Sequence, residues 1–108
     1  FKKIYELYKL LYGFRNNLKK QDRFTLWQKI ENLTLEIIEN ILLASSLSKS
    51  VKLPILEKAS LNLNTLRVLI RLAKEVVILD NQKYLVLQEN LDEIGRMLGG
   101  WIKSTKTS

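Results

Sequence analysis

The sequence has no cysteine and no histidine, and only one proline and four glycines in 108 residues. Without cysteine there is no disulfide, no thiolate metal site and no cysteine nucleophile. That suits a reducing interior, and a cytoplasmic location is expected. Without histidine the chain lacks the commonest general base and the commonest imidazole ligand. Glu-x-x-His pairs are therefore missing, which excludes the usual di-iron carboxylate bundle. So little proline and glycine favours long helices over many short strands. No apolar run nears the ~18 residues a membrane span needs. No signal peptide is visible in these residues, and the opening at Phe1 rather than Met leaves room for a leader.

What is present is a hydrophobic fraction of 46% and 18 Lys+Arg against 11 Asp+Glu, a formal charge of +7. The first is enough for a core, and the length fits one domain, residues 1–108. The second suggests a polyanionic partner, with plain solubility as the bland alternative.

The stretch 54–79 organises the rest. Leu56, Ala59, Leu63, Leu66, Ile70, Ala73 and Val77 alternate in steps of three and four, one face of a helix. A polar stripe runs beside them: Glu57, Ser60, Asn64, Arg67, Arg71 and Lys74. Leu61, Val68, Leu69, Leu72, Val76 and Leu79 make most of the remainder apolar, so this helix is expected to be buried on more than one side. Pro54 suits its first turn, and the boundary is placed at or just after Ser50.

Helices are expected over residues 2–19, 23–46, 52–79 and 82–103. The first carries Ile4, Leu7, Leu11, Phe14 and Leu18, with Tyr5, Tyr8 and Tyr12 on a flanking stripe. Asp22 is expected to cap the second, which shows Phe24, Trp27, Ile30, Thr34, Ile37, Ile41 and Ala44. Its acids Glu31, Glu36 and Glu39 are assigned to the opposite, solvated side. Asp80 and Asn81 end the third helix and cap the fourth, whose seam is Tyr84, Leu87, Leu91, Ile94, Leu98 and Trp101. Residues 104–108 read as a frayed polar tail. Four helices with short links imply an all-α, antiparallel up-down-up-down four-helix bundle.

No catalytic constellation emerges, so the chain is read as a non-enzyme without cofactor or metal. Glu36 and Glu39 lack further ligands, and Ser45, Ser46 and Ser48 have no base. Gly95 and Gly99, four apart, open one side of the fourth helix to a close neighbour. The candidate functional residues are basic. Arg67, Arg71 and Lys74 share a helix side, with Glu75 in reach of Arg71 as partial compensation. Arg15, Lys19, Lys20 and Arg23 form a second group. Arg is well matched to phosphate, which favours RNA or DNA over an ordinary wet face. Leu61, Val68, Leu72, Gly95, Gly99 and Trp101 are the expected contacts between copies.

The run Glu93-Ile94-Gly95-Arg96-Met97-Leu98-Gly99-Gly100-Trp101-Ile102 resembles the C-terminal signature of Avd, the accessory variability determinant of diversity-generating retroelements. Leu66-Arg67-Val68-Leu69-Ile70-Arg71-Leu72-Ala73 is similar to the corresponding family segment. The resemblance implies a non-catalytic bundle that assembles into a basic homopentamer. It also implies binding to the element's reverse transcriptase and template RNA, in support of mutagenic retrohoming. Arg67 and Arg71 match basic positions of that family. The alternative is a structural protein-interaction module, akin to the four-helix proteins encoded in ribosomal RNA intervening sequences. An acidic protein would then take the place of the nucleic acid.

Overall fold

The computed structural model describes residues 1–107, and all its regular structure is helical. Four long helices are present: α1 (Lys2–Arg15), α3 (Leu26–Ser45), α4 (Lys49–Glu75) and α5 (Asn81–Lys106). A single turn, α2 (Lys20–Arg23), links the first two of these. The described chain measures 47 × 21 × 19 Å, an elongated stack with α4 between α3 and α5, and α1 laid against α3 and α5.

The apolar seams account for the packing. Leu56, Ala59, Leu63, Leu66, Ile70 and Ala73 of α4 are all buried, as are Leu87, Leu91, Ile94 and Leu98 of α5. Ile4, Leu7 and Leu11 of α1 meet Trp27, Ile30, Ile37, Ile41 and Ala44 of α3 in the same core. Trp27 is fully buried, and its indole N–H donates to the Leu11 carbonyl at 3.1 Å. This satisfies the one polar group that so large a side chain brings inside.

The helix boundaries differ from the expected ones at several places. α1 stops at Arg15, four residues early, where Asn16 and Asn17 are poor helix formers. The chain turns there through Asn17 N–H to Phe14 O and Leu18 N–H to Arg15 O, and Leu18 still reaches the core. Asp22 lies inside α2 and is not a cap. The N-cap of α3 is Thr25, whose hydroxyl donates back to the Gln21 carbonyl. α4 begins earlier than expected, at Lys49 after Ser48, which leaves Pro54 in its second turn. α5 runs on to Lys106 with Thr105 buried, so the tail is ordered helix through that point; Ser108 lies outside the described residues. The Asp80 cap is as expected: its carboxylate accepts from the Lys83 N–H at 2.8 Å.

The largest departure is Val77. It keeps the seam spacing, yet it is 85% exposed and has φ 65°. The helix ends two residues before it. Ile78 N–H reaches the Ala73 carbonyl at 2.8 Å and Val77 N–H the Lys74 carbonyl at 3.0 Å. That is a Schellman ending, whose left-handed position is usually glycine. A β-branched residue there carries strain of about 1–2 kcal/mol.

Glu31 also departs from expectation. Its place opposite the apolar seam predicts a solvated carboxylate, but it is 5% exposed. It lies one residue from Ile30 and four from both Trp27 and Leu35, at the margin of the apolar stripe. Glu36 and Glu39 are exposed, with Glu36 at 4.0 Å from Lys58.

Candidate nucleic-acid interface

Apart from Arg67, which lies further along α4, the expected basic groups gather at one end of the molecule. The ring of Phe14, at the end of α1, sits under the Lys83 ammonium of α5 at 5.5 Å. The next residue of α5, Tyr84, lies under the Lys74 ammonium of α4 at 4.6 Å. Arg15, Lys19, Lys20 and Arg23 are thereby brought to the same end as Arg71 and Lys74. Lys83 joins them, a residue that periodicity alone did not single out. Its signal was its place just after the Asp80 cap, at the start of the helix facing α4.

These side chains are not equally available. Arg71, Lys19 and Lys20 are exposed, and no ion pair joins Arg71 to Glu75 among the described residues. Arg15 stacks over Phe24 at 5.7 Å and reaches Glu31 at 3.9 Å. Arg23 donates from Nε to the Leu18 carbonyl at 3.0 Å, fixing the α1–α3 connection.

Arg67 is the most constrained of all. Its Nη1 contacts Asp92 at 2.6 Å, and its Nη2 donates to the Leu91 carbonyl at 3.0 Å. Gly95 makes this approach possible: a Cβ built there would lie 2.8 Å from Nη2. The glycine thus opens α5 to a neighbour, as its spacing suggested, and that neighbour is α4 of the same chain. The stripe Arg67-Arg71-Lys74 therefore divides into one guanidinium hydrogen-bonded to α5, one ammonium resting on the Tyr84 ring of α5, and Arg71 facing outward. Ser60, Asn64, Arg67, Asp92, Gly95 and Arg96 line a polar groove of about 400 Å³ along this seam.

The expected contacts between copies fall on different surfaces. Leu61, Val68 and Leu72 are exposed, 67%, 60% and 42%, on the side of α4 away from the core, and Val76 extends their row. Gly99 has open space around it, whereas Trp101 is half-buried against the core with the Lys52 ammonium 5.4 Å from its ring. A second apolar surface lies between α1 and α3, a groove of about 720 Å³ lined by Tyr5, Tyr8, Tyr12, Leu35, Ile38 and Leu42.

Titration distinguishes two acids. Burial raises the Glu31 carboxyl above its ordinary range, with Arg15 pulling it partly back, and its Oε2 has no hydrogen-bond partner. The exposed Glu93 carboxyl is held below its ordinary range by its hydrogen bond and charge contact with Lys3, 2.7 Å away.

The model of the bAvd-like family matches residues 1–105. The chain belongs to the bAvd-like family. The match spans α1 to α4 and all but the last residue of α5, including the Arg67–Gly95 crossing and the basic end. No curated protein matches this bAvd-like chain, and no solved structure does. Among the described residues, no helix is long and apolar enough to cross a membrane.

Proposed function

We propose that this bAvd-like protein is a non-catalytic accessory protein of a diversity-generating retroelement. In this reading it binds nucleic acid and the element's reverse transcriptase and supports mutagenic retrohoming. Family membership over residues 1–105 carries the reading. The gathering of Arg71, Lys74, Lys83, Lys19 and Lys20 at one end gives it a physical basis, since clustered cations release counterions on meeting phosphates.

The helices would run up, down, up and down. Contacts along α4 and α5 support this, pairing Glu57 with Lys106, Arg67 with Asp92 and Lys74 with Tyr84, so the numbers run oppositely. The exposed row Leu61, Val68, Leu72 and Val76 suits assembly of several copies, a pentamer by family resemblance. Repeating +7 around a ring would concentrate positive potential. The protein would act in the cytoplasm.

The test is co-purification with a reverse transcriptase encoded beside it, before and after nuclease. Retention through nuclease treatment supports a direct protein contact. Replacing Arg71 and Lys74 with Glu is expected to weaken RNA binding about equally across sequences, as loss of phosphate contacts does. One observation favours a second reading, the protein-interaction module: among the described residues, five of the six ion pairs bind Lys or Arg of one long helix to an acid of another. Capture of an acidic protein with no measurable RNA affinity would select it.

A further inference from the structure

We infer that the α4–α5 groove is a phosphodiester seat whose place is held by Asp92 when no nucleic acid is bound. This rests on the nucleic-acid reading above and names a site for it. Three observations carry it. First, Arg67 is positioned by something other than the carboxylate. Nη2 is fixed on the Leu91 carbonyl across Gly95, so Nη1 stays aimed at the groove whether or not Asp92 is there. Second, the carboxylate it meets is replaceable. The Asp92 side chain is 54% exposed, and exposed ion pairs contribute little. Third, the rest of the groove suits an anion: Ser60, Asn64 and Arg96 line it together with Leu63, and Asp92 is the one carboxylate among its lining residues.

A phosphate entering the groove takes over the Nη1 hydrogen bond and brings its charge against Arg67 and Arg96. Asp92 swings into water, where its exposure already leaves it half-hydrated. Arg71 stands one turn further along α4, toward the basic end, so a strand leaving the groove continues onto Arg71 and Lys74. The polar stripe of α4 is in this way a track, with Asp92 as its plug.

The experiment is a fluorescence-anisotropy titration of single-stranded RNA over a series of salt concentrations, with four variants of the full chain. Asp92→Asn removes the competing charge and is expected to tighten binding about three- to tenfold. Glu39→Gln, an equal charge change on exposed α3, is expected to shift it less than about twofold. Arg96→Gln should weaken binding and lower the salt slope by about one. Gly95→Ala should weaken it several-fold by displacing Arg67, while the helix itself is not weakened, since alanine is the better helix former. Asp92→Asn matching Glu39→Gln, or Gly95→Ala binding as wild type, overturns the seat while leaving the proposed function intact. Wild type without salt-dependent binding overturns both.

Discussion

Where α1 meets α3, the polar contacts are inside. The Trp27 indole reaches the Leu11 carbonyl in a fully buried setting, and the Glu31 carboxylate, almost without solvent, lies against a part-exposed Arg15. Where α4 meets α5, they are at the surface. Arg67 to Asp92, Lys106 to Glu57 and Lys74 over Tyr84 all have solvent on at least one side. A buried polar contact is costly to break, because the group left behind has no water to turn to. A surface contact exchanges with water, ions or a ligand at small cost. The first join therefore fixes the fold, and the second is free to take a partner. The proposed nucleic-acid seat lies on the weaker seam.

The sharpest way to break this comparison is to remove one residue from each join. Trp27→Ala should cost about 3–5 kcal/mol in denaturant unfolding, since both a large core volume and a buried hydrogen bond are lost. Arg67→Ala should cost about 1 kcal/mol in the same assay. Equal losses would abolish the distinction.

Val77 sharpens it from the loop side. Val77→Gly should stabilise the chain by about 0.5–1 kcal/mol, read as a raised midpoint, because glycine takes the left-handed conformation without strain. An unchanged or lowered midpoint would mean that the α4 ending bears no strain.

The smallest effect is that of pH. The folded Glu31 carboxyl titrates above its unfolded value, so the folded state holds the extra proton. Its contribution is therefore favourable below about pH 4 and is lost as pH rises through the folded value. Glu31→Gln should gain less than about 1 kcal/mol at pH 7 and nothing near pH 4, measured by thermal melts at the two pH values. Glu93 has the opposite sign. Its lowered folded value gives a contribution present above about pH 4.3 that fades as pH falls.

Much of the fold was legible because apolar spacing is a local property. Spacing alone puts Ile4, Leu7, Leu11, Leu56, Leu63, Ile70, Leu87 and Leu98 in the core, and all are buried. Val77 shows the limit: it keeps the period, but no glycine announces that the backbone turns there. Glu31 shows another, since a residue at the edge of a stripe is buried or wet according to the neighbouring helix, which spacing does not describe. The candidate site was legible only as residue types. Arg67, Arg71 and Lys74 read as one stripe, yet Asp92 and the Leu91 carbonyl engage Arg67 from 25 and 24 residues away. Lys83 and Arg96 join these residues only through the packing of α5 against α1 and α4.

The most direct test of the account is lysine footprinting by acetylation and mass spectrometry, with and without bound RNA. Lys74, on the α4–α5 seam, and Lys83, at the basic end beside Phe14, should be protected, while Lys9, over Tyr5 in the α1–α3 groove, stays reactive. Protection of Lys9 with Lys74 and Lys83 unchanged would place the nucleic acid on the opposite join and contradict the account.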